Sequence, residues 1–345
     1  LTMEKEQPFE NLFGQVTVKK RLNFYLEAFE ATSLCPFLAF IGAKGLGKTE
    51  FARQFAHQLR NTDGSRRPFL ELNCSTIKNV EQFFEQIFIP LIMENELTVL
   101  FDEAHELPKD LTNAFLTVFN TEKVTTKELH WRDGVYPFDF KKQTFMFATT
   151  ESDKIFPPLK DRLTTIDFEA YSYEDLSKIF AAQCEDIDFS EDALRELAKT
   201  SRGNARSCVM RGRDVALYCA RKGNKIFASH DLEPFFDQLG VLPFGLTATE
   251  MQLLKILRRD GQCSLQMLAA KTGLSRSAIQ RDHELYLMRK NLLVIDGKRN
   301  ITNEGVHLVE EHHKREQAAT DAYVAKLNAE DDRRWAEEDK LVDKS

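Results

Sequence analysis

The stretch FLAFIGAKGLGKTEFARQFA (residues 37–56) opens as an apolar run, breaks into a glycine-rich turn carrying two lysines, and leaves as an amphipathic segment. It fits the pattern G-x-x-x-x-G-K-[ST], with a strand expected over 37–41 and a helix over about 49–59. Gly42, Gly45 and Gly47 let the backbone curl so that successive N–H groups converge, and the following helix points its positive end the same way. Such a turn cradles phosphates. Lys48 would reach the β- and γ-phosphates of ATP and the Thr49 hydroxyl would ligate Mg²⁺, while Lys44 sits at an unconstrained position of the turn and is read as solvated.

A phosphate loop needs an acidic partner on a neighbouring strand, and ELTVLFDEAHEL (96–107) provides one. Residues 97–101 read as a buried strand delivering Asp102 and Glu103 at its carboxyl end, where α/β sheets bind ligands. Asp102 would hold Mg²⁺ through water, and Glu103 would orient or deprotonate the attacking water. The four letters from Asp102 to His105 also mark a class of RNA helicases, but the downstream residues follow another pattern. In QTFMFATTESDKIFPPLKDRL (143–163) a second apolar strand ends in Thr149 and Thr150, and a short helix leads to Arg162. SRGNARSCVMRGRDVALYCA (201–220) then reads as a helix with Arg206 near its start.

Composition sets the frame. The chain has 345 residues, 42% of them hydrophobic and 29% charged, enough for two or three domains with cores of their own. Its six cysteines are scattered without a C-x-x-C pair, which points to reduced, buried thiols rather than metal or disulfide roles. The N-terminal stretch is polar and acidic, and no apolar run approaches a membrane span, so a cytoplasmic protein without membrane contact is expected. A formal charge of -7 argues against blanket nucleic-acid binding but can hide a basic face.

With these motifs in place the sequence resembles the AAA+ ATPases, and most closely the RuvB family of Holliday-junction branch-migration motors. The resemblance runs from Phe9 to about Val309 and rests on FENLFGQ, GAKGLGKT, VLFDEAH, FATTES, PLKDRL, SRGNAR and LGVLPFGLTATE. It implies that Phe13 lines the adenine pocket, Thr150 is the first sensor, Arg162 the arginine finger and Arg206 the second sensor. A finger completes a neighbour's site, so Arg162 implies a homo-oligomer, and the family expectation is a hexameric ring. The fold class implied is α/β: an AAA+ P-loop domain with a parallel sheet (1–170), an all-α lid (171–240), a winged-helix domain (241–310) and a charged tail (311–345).

The remaining segments agree with that division. EKVTTKELHWRDGVYPFDFKKQ (122–143) reads as a β-hairpin with Trp131 exposed near its tip. By position it matches the hairpin with which RuvB engages RuvA, so a partner protein is expected at 123–140. Four stretches of helical spacing, 173–184, 191–200, 205–222 and 231–239, make up the lid. Beyond LPFGL, the order helix, helix, turn, helix, strand, basic turn, strand is that of a winged helix-turn-helix. Ser275 is a natural N-cap for its recognition helix. DNA contacts are expected from Arg276 and Arg281 on that helix and from Lys298 and Arg299 at the wing tip. From Thr247 to Asn303 ten Lys and Arg face five Asp and Glu, the basic face within an acidic chain.

The chain departs from the family pattern at Ala43 and Lys44 (usually prolines), Glu50 (a second Thr), Glu106 (Arg), Ala205 (Pro) and in the wing from Ile295 to Arg299. These changes spare the ATPase parts and touch the DNA surface and partner choice, so a divergent or mobile-element relative is expected. The function expected is a ring-forming, ATP-hydrolysing DNA motor. The alternatives are a helicase or clamp loader, or an ATP-gated assembly factor whose winged helix binds protein.

Overall fold

The structure, a computed structural model, describes residues 8–119 and 125–342. It divides into two units between Phe235 and Phe236.

The first unit is built on a five-stranded parallel sheet in the order β2-β3-β6-β1-β7. Helix α1 (Val16–Thr32) leads into β1 (Leu38–Ile41), and the glycine-rich turn connects β1 to α2 (Lys48–Gln58). β2 (Phe69–Asn73) follows, then α3 (Val80–Gln82), which runs on as a π-helical segment, Phe83–Ile92. Pro90 lies inside that segment. It has no N–H to give and its ring would strike the preceding turn of an α-helix, and the wider π turn makes room for it. Next come β3 (Leu97–Asp102), α4 (Lys109–Val118), the hairpin β4 (Thr126–Trp131) and β5 (Gly134–Asp139), β6 (Gln143–Thr149), α5 (Pro157–Lys160) and β7 (Thr164–Asp167). β3 and β6 are almost wholly buried, as strands covered on both faces must be. Phe83, Phe101, Phe115, Phe119, Phe145 and Phe147 fill one core cluster, all of them buried. Strand order then places the chemistry. Because β6 lies between β1 and β3, the threonines at its end stand between the phosphate loop and the acidic pair.

The hairpin corrects one expectation. Trp131 is not a free anchor: it stacks on Phe84 at 5.2 Å, with the Arg132 guanidinium 4.6 Å from its ring centre. Arg132 is itself tied to Glu81 and Glu85. Side chains alternate between the two faces of a ribbon, and Trp131 falls on the face that meets the aromatic core. Residues 123 and 124 of the expected partner-contacting segment lie outside the described residues.

The lid comprises α6 (Tyr173–Gln183), β8 (Asp188–Phe189), α7 (Glu191–Thr200), α8 (Ala205–Lys222), β9 (Ile226–Phe227) and α9 (Ser229–Leu239). It is helical as expected, with Ser172, Ser190 and Asn204 as N-caps. The addition is a two-residue parallel strand pair, β8 with β9, too short to show any periodicity in sequence.

The second unit contains α10 (Ala248–Asp260), opened by a capping box between Thr247 and Glu250, and α11 (Leu265–Thr272). The recognition helix consists of α12 (Arg276–Ala278), a π-helical segment Ile279–Glu284, and α13 (Leu285–Arg289). The wing is β10 (Leu293–Asp296) with β11 (Lys298–Ile301), and α14 (Asn303–Val342) follows. The boundary expected at residue 310 falls inside α14: Leu308 and Val309 are buried, and Glu310 and Glu316 bind Arg258 and Lys255 of α10. Those contacts continue the winged-helix fold as far as Glu316. The side chain of Trp335 lies outside the described residues.

Candidate nucleotide site and winged-helix surface

The glycine-rich turn is shaped by its backbone. Gly45 (φ +81°) and Gly47 (φ +88°) occupy conformations that other residues resist, and a Cβ on Gly45 would fall 2.2 Å from Asn204 Oδ1. Gly42 donates its N–H to the Thr149 carbonyl, fixing the start of the turn to β6. Three groups around the start of the lid bind the turn's carbonyls. Tyr171 O–H donates to Leu46 at 3.1 Å, Asn204 Nδ2 to Lys44 at 2.8 Å, and the Arg206 N–H to Gly45 at 3.1 Å. Phosphate loop and lid are thus joined directly.

A cleft of about 680 Å³ opens beside this turn. Phe13 lines it, as do Gly45, Gly47, Lys48 and Thr49 of the turn, Asp102, Glu103 and Thr150 from the ends of β3 and β6, and Arg206 from the lid. Lys48 is buried and donates to the Gly42 and Ala43 carbonyls at 2.6 and 2.9 Å. Burial lowers its pKa, against the opposing pull of Glu103 and Asp102. The Thr49 hydroxyl lies 3.4 Å from Asp102 Oδ2, and Thr150 donates to Glu103 Oε2 at 3.2 Å. Glu103 itself holds a left-handed backbone (φ +52°), a conformation that costs a residue with a Cβ and concentrates at functional sites.

Arg162 does not line this cleft. It is half-buried at the end of α5, where its Nη1 donates to the Pro158 carbonyl at 2.5 Å.

Several cleft-side residues escaped sequence reasoning. Glu50 binds Arg53 at 2.7 Å and Arg53 reaches Glu71 at 3.0 Å, all three on the cleft wall. Glu50 stood out only as a departure from a family pattern. Asn204 had a signal, a capping residue just before a helix, but nothing local tells that its amide also reaches the phosphate loop. Tyr171 and His105 had no readable signal.

On the winged-helix unit Arg276, Arg281 and Lys298 are exposed, and Arg281 leans on Asp282 at 2.9 Å. Arg299 is a correction. Only 8% exposed, it forms a two-pronged ion pair with Glu284, Nε to Oε1 at 2.7 Å and Nη2 to Oε2 at 3.2 Å. Consecutive strand residues point to opposite faces, so Lys298 and Arg299 cannot both face out from β11. The backbone of Arg299 also pairs with Cys263, which pins that strand against the domain.

Comparison with known proteins fits this architecture. Residues 38–170 match the profile of the ATPase family associated with various cellular activities (AAA), and residues 243–310 match the RuvB C-terminal winged helix domain. The chain thus joins an AAA domain to a RuvB C-terminal winged helix domain. Its phosphate-loop domain is an ATPase domain, and nucleotide binding follows from that match. The "Holliday junction branch migration complex subunit RuvB" of Lactobacillus delbrueckii subsp. bulgaricus is 24% identical over 315 residues, 87% of this chain and 89% of that protein. The protein of the same name from Thermosipho melanesiensis is 26% identical over 294 residues, 81% and 89% of the two chains. Among solved structures, the Thermotoga maritima RuvB Holliday junction branch migration motor superposes with a TM-score of 0.69 at 20% identity, covering 89% of this chain and 98% of that one. Identity this low marks a divergent relative. Among the described residues no helix is long and apolar enough to cross a membrane.

Proposed function

We propose that the chain is the subunit of a ring-forming motor that couples ATP hydrolysis to the movement or branch migration of DNA. The observation that carries this reading is the incomplete cleft. Lys48, Thr49, Asp102, Glu103, Thr150 and Arg206 meet there, whereas Arg162 stands outside it. A second copy presenting its own Arg162 would complete the site, which makes hydrolysis depend on assembly and favours the hexameric ring of the family.

Within one subunit the roles follow from position. Lys48, freed from the loop carbonyls, would neutralise the β- and γ-phosphates, with Arg206 approaching from the lid. Glu103, held by the Thr150 hydroxyl, would orient the attacking water and accept its proton. Phe13 would pack against the base. No three His, Cys, Asp or Glu side chains among the described residues form a metal cage of their own, and the Thr49 hydroxyl beside the Asp102 carboxylate is the oxygen pair that suits Mg²⁺ shared with phosphates and water. Bound there, Mg²⁺ would supply charge neutralisation of the phosphates. The lid's hydrogen bonds to Lys44, Gly45 and Leu46 give a path from phosphate contacts to rotation of the lid. DNA would meet Arg276, Arg281 and Lys298, and a partner protein the outer face of the hairpin.

One observation favours the alternative in which the winged helix binds protein. Much of its positive charge is matched internally, Arg299 by Glu284, Lys271 and Arg259 by Asp260, and Arg281 by Asp282. ATPase rates with duplex, forked, single-stranded and four-way DNA separate the readings. Stimulation by DNA, abolished in Lys48→Ala through lost nucleotide binding and in Glu103→Gln with binding retained and turnover slowed at least about 10²-fold, is the expected result. An ATPase indifferent to every DNA would sink the motor reading, and parental turnover in Glu103→Gln would sink the site assignment.

A further inference from the structure

We propose that His105 is a positioning residue for hydrolysis, holding the Glu103 carboxylate against the end of β6. The inference rests on the assignment of Glu103 above and adds a residue to it.

The side chain of His105 is only 7% exposed, yet polar atoms lie near both of its ring nitrogens. Nδ1 lies 3.0 Å from the Thr149 hydroxyl and 3.6 Å from Glu103 Oε2. That same carboxylate oxygen accepts the Thr150 hydroxyl. Nε2 looks the other way, 3.4 Å from Glu106 and 3.5 Å from Glu151, which is tied in turn to Lys154. A ring placed only to fill space would be cheaper as an apolar residue, since each buried polar atom must find a partner. Here both nitrogens face partners on two elements, the β3 loop and the end of β6.

Glu103 needs such support. Its left-handed backbone leaves the carboxylate without the help of a regular element, and the Thr150 hydroxyl donates to it. With His105 Nδ1 bonded to Thr149 and 3.6 Å from the same oxygen, the base is held between Thr149, at the end of β6, and Thr150, the next residue. A shift at either threonine would therefore move the carboxylate. Displacement of a catalytic group by about 1 Å can cost on the order of 10²-fold in rate, so loss of this restraint should appear in kcat and not in nucleotide affinity.

The test uses the full chain carrying His105→Ala, His105→Asn or His105→Gln, each with and without Glu103→Gln, with steady-state ATP hydrolysis and equilibrium ATP binding as readouts. His105→Ala should bind ATP as the parent does and lose about 10- to 100-fold in kcat. His105→Asn, whose amide nitrogen can occupy the place of Nδ1, should recover most of the rate, whereas His105→Gln, which mimics Nε2, should not. In the Glu103→Gln background His105→Ala should add no further loss, because both changes remove one unit. Parental kcat in His105→Ala, equal recovery by Asn and Gln, or additive losses in the double variant would overturn the proposal. If Glu103→Gln alone hydrolyses ATP normally, the assignment of Glu103 fails instead.

Discussion

Glu284→Ala should loosen the wing and recognition helix without touching any exposed cation. The Glu284 and Arg299 side chains are 4% and 10% exposed, and both carboxylate oxygens are used. Removing one partner of such a pair strands the other charge away from water, a cost of about 3 to 5 kcal/mol. At roughly 1.4 kcal/mol per factor of ten, amides that exchange through local opening should exchange about two to three and a half decades faster. Hydrogen exchange read by mass spectrometry on peptides spanning α13 and β11 measures this in the intact chain. Replacing the pair together, Glu284→Leu with Arg299→Met, should return most of the protection, because a packed apolar pair carries no desolvation cost. A loss below about 1 kcal/mol, the value of an exposed pair, would refute the reasoning, as would a double variant no better than the single one.

Arg162→Ala should bind ATP yet hydrolyse it on the order of 10³-fold more slowly, and mixing it with Glu103→Gln protein should restore part of the activity where an intact Arg162 faces an intact Glu103. Mixed oligomers that regain nothing would count against a finger supplied by a neighbour. On DNA, alanine at Arg276, Arg281 and Lys298 together should flatten the slope of log affinity against log salt by about 3 units if each meets one phosphate. Arg299→Ala should instead act through the stability of the domain, so a full unit of slope lost with protection intact would contradict its buried position.

The parts of this protein legible in the sequence are those decided by neighbours in the chain. The phosphate loop, the acidic strand, the cap at Ser275 and the spacing of the lid helices all follow from φ preferences, hydrogen bonds and periodicities that act over a few residues. So do Lys48, Thr49, Asp102 and Glu103, because loop and strand motifs carry their chemistry in fixed spacing. Tertiary structure decided the rest. Whether Trp131 faces outward depends on which side of the hairpin meets the aromatic layer, and Arg299 turns inward because Glu284, fifteen residues earlier, waits on a helix packed against the wing. His105 lies three positions from Asp102, yet its partners Thr149 and Glu151 are brought to it only by the pairing of β3 with β6. A residue's type and spacing say what it can do, but the partner that satisfies its charge or hydrogen bonds arrives from an element distant in sequence, and only the packing of those elements selects it.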